Sequence, residues 1–498
     1  MTAHRRPERP FPMASLLTDP PVDASQRPRS PRDAGQRFRR ALLLMVMTLV
    51  VPGSAQLVMG RRRTGRVALR IWLGLLVTGL LLLGLGLVFD TLIWRLLTSD
   101  LVLSTARLLL MALAIGWAYL FVDAWRLGDP MSLRRKQRLA MVGVNGVLCF
   151  SVAGSLLFAS HLVTVNKDLM GGLFADGHAV GAHEGRFNVL LLGGDSGADR
   201  WGLRPDSIQV ASIDAETGKT VLLGLPRNML NFPFPDGSVM DAQFPDGYDC
   251  GAQCELNSLA TWAYDHPDLF PGSEDPGVDA TIQGVEGITG LDINYYAMVN
   301  MRGFEQLVDA VGGIELNVRE DIPIGGGAAG QTGTVEAGRR TLDGYEALWF
   351  ARSRMSSDDY SRMARQKCVI DAMVRQLDPQ TVLLNFQDIA EASKALVSTD
   401  LPRGEVGKFI DLALKARSHP IRTVSFVPPL VSTSEPDIDL IHDKVQTVIE
   451  RSEGKGAPAK KAVERTPAPA QTSTTGGSVG SMKAGYGANQ ADDLSAVC

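Results

Sequence analysis

The chain has 498 residues, 45% of them hydrophobic, and a formal net charge of -4. That balance excludes a general nucleic-acid binder, whose hold on a phosphate backbone rests on a net basic surface. Five cysteines are too few for a disulfide scaffold. Most of the long apolar runs fall before residue 165, so length alone overstates the soluble part.

Residues 1–40 carry many Arg and Pro residues and little apolar content, and read as a disordered basic cytoplasmic tail. A membrane anchor is expected over 41–165, where four apolar runs, 41–60, 71–89, 101–122 and 139–160, approach the length that crosses hydrocarbon. A removed signal peptide fits poorly, because the first run begins only at residue 41 and others follow it. Four complete spans would put Arg61, Arg62, Arg63 and Arg66 outside and return the remainder to the cytoplasm. If 41–60, interrupted by Pro52-Gly53-Ser54-Ala55-Gln56, re-enters instead, those arginines stay inside, as do Arg126, Arg134, Arg135, Lys136 and Arg138. Three spans, about 67–89, 101–122 and 139–163, then carry everything after about residue 165 to the outside. Cys149, within the last run, reads as a small hydrophobe.

Residues 166–185 read as a linker and 186–451 as an extracytoplasmic α/β domain. Phe187 to Leu192, Ser207 to Asp214 and Thr220 to Leu225 have the apolar patterns of strands. Paired as an antiparallel meander, they gather Asp195, Asp206 and Arg227 at one sheet edge. Cys250 and Cys254 either form a short-loop disulfide or stay reduced, since two thiols alone make a poor metal site. Phe304, Leu307, Val308 and Val311 have helical spacing before a Gly312-Gly313 stop and a strand over 314–318, and read as core. The run Gly325 to Gly330 lacks the Lys-Ser or Lys-Thr of a nucleotide-binding loop and reads as a mobile surface loop. Arg352 and Arg354 flank Ser353 as on a short extended piece, both pointing one way. Residues 360–377 form an amphipathic helix with Arg362, Arg365 and Gln366 near its start. Cys368 in this helix reads as buried. A late strand is expected over 421–427, and the Pro-, Ala-, Ser- and Gly-rich residues 452–498 read as a disordered tail.

Five arginines near two sequence blocks suit an anionic ligand. Guanidinium groups grip phosphate oxygens through paired hydrogen bonds and keep their charge, so such a site fits a pyrophosphate. Aspartates beside that ligand call for a cation between them, and Mg²⁺ shared by one or two carboxylates and phosphate oxygens supplies it.

The stretches Asn188-Val-Leu-Leu-Leu-Gly-Gly-Asp195-Ser196, Arg204-Pro-Asp206-Ser207 and Leu225-Pro-Arg227 together resemble the opening of the LytR-CpsA-Psr domain. Tyr295-Tyr296, Gly303-Phe304, Leu307-Val-Asp-Ala-Val-Gly-Gly313, Leu342-Asp-Gly344 with Ala347, Arg352-Ser-Arg354 and Arg362-Met-Ala-Arg365-Gln366 extend the resemblance to about residue 380. It implies a phosphotransferase with a central mixed or antiparallel sheet flanked by helices. Such an enzyme moves a glycopolymer from a polyprenyl-pyrophosphate carrier in the membrane lipid to peptidoglycan, through a phosphodiester. By the same resemblance Asp195 and Asp206 hold Mg²⁺ and the phosphate site. Arg227, Arg352, Arg354, Arg362 and Arg365 clamp the pyrophosphate, Gln366 supports them, and an apolar pocket between sheet and helices takes the lipid. Asp195, Asp206, Arg227, Arg352 and Arg354 form the catalytic set.

Two positions depart from the pattern. Gly197 stands where the family often has Arg, a role Arg200 can fill, and Asn228 where it often has Asp. A module that binds prenyl-linked precursors without transferring them is therefore a competing reading. A serine hydrolase built on Ser196 within Gly194-Asp-Ser-Gly197 is another, although Ala198-Asp199 and the linker positions of His178 and His183 break that pattern.

Overall fold

The computed structural model describes residues 31–88, 99–173, 179–194, 204–326, 330–355, 357–376, 397–455 and 489–498. It divides into two compact units, residues 1–81 with 109–159 and residues 82–108 with 160–498.

Among the described residues, the α-helices before the sheet are α1 Pro31–Val50, α2 Ser54–Val58, α3 Arg62–Val88, α4 Asp100–Leu127 and α5 Arg135–Leu173. In the first unit α1 buries Ala41 and Met45 with Leu133 and Met141, and Leu44 with Ala55 and Ala124. The expected tail over 1–40 needs correction at its end: residues 31–40 belong to α1, where Phe38 joins the Ala41 cluster. Helix α1 stops at Val50 because Pro52 brings no N–H and Gly53 adopts φ +90°. A Cβ on Gly53 would lie 2.5 Å from the Gly65 carbonyl oxygen. Residues 41–60 are thus two helices joined by a turn, fastened where Gln56 Nε2 donates to Leu120 O at 3.1 Å and Arg61 pairs with the buried Asp123. Among the described residues, three helical stretches are long and apolar enough to cross a membrane, Arg62–Leu82, Asp100–Leu127 and Arg135–Asp168.

The second unit is built on a mixed seven-stranded sheet. Strands β1 Arg186–Gly194, β2 Pro205–Asp214 and β3 Thr220–Leu225 form the expected antiparallel meander, with Gly194 opposite Pro205 and Ile208 opposite Leu225. The sheet extends beyond β1 through parallel β4 Tyr295–Asn300. Strands β5 Ile314–Val318, β6 Ile322–Gly325, β7 Gln331–Val335 and β8 Gly338–Leu342 make two small antiparallel pairs, β5 with β8 and β6 with β7. β9 Val397–Thr399 closes one edge of the main sheet against β4. At the other edge β10 Arg422–Ser425 runs parallel to β3, and β11 Gln490–Ala491 pairs with β10. The Gly325 to Gly330 run is the turn of the β6–β7 pair, with 327–329 outside the described residues.

Alternation sends successive strand residues to opposite faces. Leu190, Leu192, Val210, Leu223 and Leu225 bury against α6 Val239–Gln243, α7 Leu259–Asp265 and α8 Pro276–Thr289. Ala211 and Leu222 face α9 Met301–Ala310, α10 Gly344–Arg352 and α11 Asp359–Gln376. Each fully buried Val or Leu contributes about 1.5–3 kcal/mol. Helices α12 Val406–Ala416 and α13 Ile438–Glu453 complete the unit, α13 on the first face.

Asp343 caps α10 by accepting from Glu346 N at 2.8 Å, and Gly344 N donates to Asp309 Oδ1 at 2.7 Å. A Cβ on Gly344 would fall 2.1 Å from Glu305 O, so only glycine allows α9 and α10 this approach. The Leu342-Asp343-Gly344 motif is therefore structural.

The tail expected over 452–498 is corrected at both ends. Helix α13 runs to Glu453, and residues 489–498 fold back, burying Leu494 and joining Cys498 to Cys368 through a disulfide. A composition averaged over the whole tail hides this short apolar end. Cys250 and Cys254 are also bonded to each other.

Lys367 of α11 is fully buried, and its Nζ donates to Ser425 Oγ at 2.5 Å. Gly224 leaves it room, since a Cβ there would sit 3.1 Å from its Cε. Burial holds the amine well below the ordinary value of 10.5. Between its folded value and 10.5 the unfolded chain binds the extra proton, so stability rises with pH across that window. Lys367→Met is expected to melt at least as high as the native chain near neutrality, with the difference closing as pH approaches 10.5. A difference independent of pH would show that the folded amine is charged.

Candidate functional site

The site lies at the end of the β1–β2–β3 meander, where α11 begins. Asp206 sits at the start of β2 and Arg227 just past β3, and Arg227 Nη1 pairs with Asp206 Oδ1. Their side chains are 31% and 26% exposed, so the pair is reachable from solvent. Asp195 follows the last residue of β1 but lies, with Ser196, Gly197 and Arg200, outside the described residues.

Helix α11 supplies the second half. Asp358 starts it by accepting from Ser361 N at 2.7 Å. Asp359 then gathers three cations: Arg362 Nη2 at 3.0 Å, Arg354 Nη1 at 3.4 Å and Arg227 Nε at 3.9 Å. Arg362 also donates from Nη1 to Asp206 O at 2.8 Å, which ties the helix to β2. Burial lowers the Arg362 pKa, opposed chiefly by Asp359, then by Asp206, while Arg227 adds to the lowering. Its Nε is buried with no hydrogen-bond partner among the described residues, and so is Asn228 Oδ1. A buried donor left unmade is costly.

Arg352 is the last residue of α10 rather than part of an extended piece. Asp343 starts that helix, Ala347 and Phe350 bury its inner face, and a cation in its last turn suits the helix dipole. The Arg352 guanidinium lies 5.4 Å from the Trp349 ring centre. Arg354 follows in the exposed linker to α11.

Arg365 is placed differently from the clamp role expected of it. It is fully buried and donates to Phe350 O at 2.7 Å, Ser357 Oγ at 3.1 Å and Ser353 O. It braces the end of α10, which carries Arg352, and the start of the linker that carries Arg354. Burial, then the neighbouring Arg362, lowers its pKa to about 10, so it stays charged at neutral pH. Gln366 donates to Ala351 O at 3.4 Å and lines the cleft.

From this polar mouth a cavity of about 360 Å³ runs between the sheet and α9, α10 and α11. Asp206, Arg352, Arg362 and Gln366 line one part, and Leu191, Val299, Phe304, Leu307, Ile370 and Met373 form much of its apolar wall. Phe304 and Leu307, read from sequence as core, thus line a cavity. Asp359 was not expected either, and its signal in the sequence is the three-residue spacing from Arg362, which pairs opposite charges on a helix.

Mg²⁺ takes oxygen ligands and commonly one or two carboxylates with phosphate oxygens and water. Asp206 fits that donor set, and Asp195 does by residue type. Among the described residues no three His, Cys, Asp or Glu side chains gather as a metal cage.

A profile described as the LytR_cpsA_psr family matches residues 164–433. The chain is 29% identical over 285 residues to an Enterococcus faecalis protein named polyisoprenyl-teichoic acid–peptidoglycan teichoic acid transferase TagU, covering 56% of this chain and 79% of that one. A protein of the same name from Oceanobacillus iheyensis is 31% identical over 217 residues, covering 43% and 58%. The cell wall biosynthesis protein LcpA of Corynebacterium glutamicum is 28% identical over 254 residues, covering 46% and 47%. The chain therefore spans about half the length of the last two. Among solved structures, B. subtilis TagV is 22% identical with a TM-score of 0.39, covering 55% of this chain and 100% of that one. With more than half of its length matched by the profile, the chain belongs to the LytR_cpsA_psr family.

Proposed function

We propose that this protein transfers a glycopolymer from a polyprenyl-pyrophosphate carrier to peptidoglycan. The observation that carries this reading is the cavity whose apolar wall opens onto Asp206, Arg352 and Arg362. A prenyl chain matches the apolar wall, and its pyrophosphate matches the cationic mouth formed by Arg352 and Arg362. The relatives named as teichoic acid transferases support the same chemistry.

In the reaction an acceptor hydroxyl oxygen attacks the sugar-side phosphorus. The P–O bond to the prenyl phosphate breaks, a phosphodiester forms, and the hydroxyl proton is lost. Arg227, Arg354 and Arg362 stabilise charge on the phosphoryl oxygens and on the leaving phosphate, and Arg352 and Gln366 orient the donor at the cavity mouth. Asp206, with Asp195, would hold Mg²⁺, which when bound neutralises charge on the phosphates. The pyrophosphate bond is the energy source, so no nucleotide is needed.

This reading places the catalytic unit outside the membrane, with the N-terminus cytoplasmic and three helices crossing. The carrier then arrives in the outer leaflet beside its enzyme.

The test uses the full-length protein in detergent with a prenyl-pyrophosphoryl disaccharide, a peptidoglycan fragment and Mg²⁺. Release of prenyl phosphate with joining of the two glycans is the expected result. Tight donor binding without release would identify a precursor-binding module instead.

A further inference from the structure

We propose that the C-terminal decapeptide, residues 489–498, is a positioning element of the site: it fixes the helix whose first turn presents Asp359 and Arg362. The proposal rests on the transferase reading for what the site binds, and on the contacts below for how it is held.

Helix α11 has two working stripes. Arg362, Gln366, Val369, Ile370 and Met373 line the cavity along one flank. On that flank Arg362 ties the first turn to β2 through Asp206 O, and on the other side the decapeptide meets the helix along its length. Asn489 Nδ2 donates to Tyr360 O at 2.9 Å, one residue from Asp359 and two from Arg362. Midway, Lys367 donates to Ser425 Oγ, which donates to Asn489 Oδ1 at 2.9 Å. Cys498 is bonded to Cys368, and Asp493 lies 3.8 Å from Arg375 in the last turn. Residues 360, 367, 368 and 375 lie on one side of the helix.

The decapeptide is anchored in turn to the sheet edge. Gln490 and Ala491 pair with Val424 and Thr423, and Gln490 Nε2 donates to Ser425 O at 3.0 Å. Leu494 N donates to Ile421 O at 2.9 Å, Asp492 accepts from Arg422 at 2.6 Å, and Val497 O accepts from Arg319 at 2.6 Å. The sheet edge therefore reaches the first turn of α11 through Asn489 and its middle through Cys498. A displacement of about 1 Å in such a turn costs on the order of a hundredfold where reacting groups must align.

The test compares the full-length protein in detergent with Cys498→Ser and with Asn489→Ala. Calorimetry measures binding of farnesyl pyrophosphate with Mg²⁺ and of farnesol, and hydrogen exchange follows the amides of residues 360–366. Each variant is expected to bind farnesyl pyrophosphate about tenfold more weakly, through loss of the disulfide tether in one and of the Asn489 hydrogen bonds in the other. Farnesol, which reports the apolar wall, is expected to bind as before, with faster exchange in the first turn. Unchanged pyrophosphate affinity and unchanged exchange in both variants would overturn the proposal. So would equal loss of both probes with a collapsed melting temperature, which is the signature of a merely structural role. If the native protein binds neither probe, the transferase reading fails, and the exchange comparison alone then decides the positioning role.

Discussion

Arg362→Ala is expected to lower prenyl phosphate release by about 10²–10³-fold, the loss seen when one preorganised donor to a developing charge is removed. Arg362 is the cation that touches everything else in the site: Asp206 through its carbonyl, Asp359 through its carboxylate, and the cavity through its own surface. Alanine also leaves Asp359 with only Arg354 and Arg227 at longer range, so a fall in melting temperature accompanies the loss of rate. Arg362→Lys separates the two effects. A lysine restores the charge, but its compact ammonium cannot reach both carboxylate and carbonyl while presenting a further N–H to a phosphate. Stability is expected to recover and turnover to stay low. Native turnover in the alanine variant would remove Arg362 from the mechanism. Arg365→Ala makes the contrast, because Phe350 O, Ser357 Oγ and Ser353 O, which it serves, belong to the protein itself. Its primary effect is expected on the melting temperature.

Asp206→Asn is expected to lower turnover by at least about a hundredfold while leaving the fold intact. Its ion pair with Arg227 is partly exposed, and such pairs contribute about 0–1 kcal/mol. The amide is nearly isosteric and keeps an acceptor for Arg227, but it removes the negative charge a hard cation prefers. The Mg²⁺ concentration giving half-maximal rate should therefore rise. If Asp206 serves only to orient Arg227, the rate would fall with no change in Mg²⁺ dependence, and the carboxylate would lose its metal role.

Much of the sheet was legible because its signals are local. Alternation in 207–214, a turn over 214–219 and a run of apolar residues in 187–192 fix three strands and hence the edge that carries Asp206 and Arg227. The helix-borne part of the site was less legible. Spacing alone treats Arg362 and Arg365 as near neighbours, yet one faces the cleft and the other reaches back to Phe350 O and Ser353 O, acceptors 15 and 12 residues upstream. An apolar stripe such as Phe304 and Leu307 looks the same in sequence whether it meets packed side chains or a void. Arg352 shows a boundary effect, since Asp343 starts a helix that runs one residue into the expected extended piece. The decapeptide at the chain end was hidden for another reason. Its partners Ile421, Arg422 and Cys368 lie far away in sequence, and no local pattern announces them.

The contact of Gly344 with the backbone of Glu305, together with the Gly344 N–H on Asp309, welds α9 and α10 into a single wall of the cavity. Neither helix can tilt without the other. On the proposed reading, the welded pair sets a fixed gauge for the carrier, and adjustment to a longer or bulkier one falls to the rest of the cavity wall.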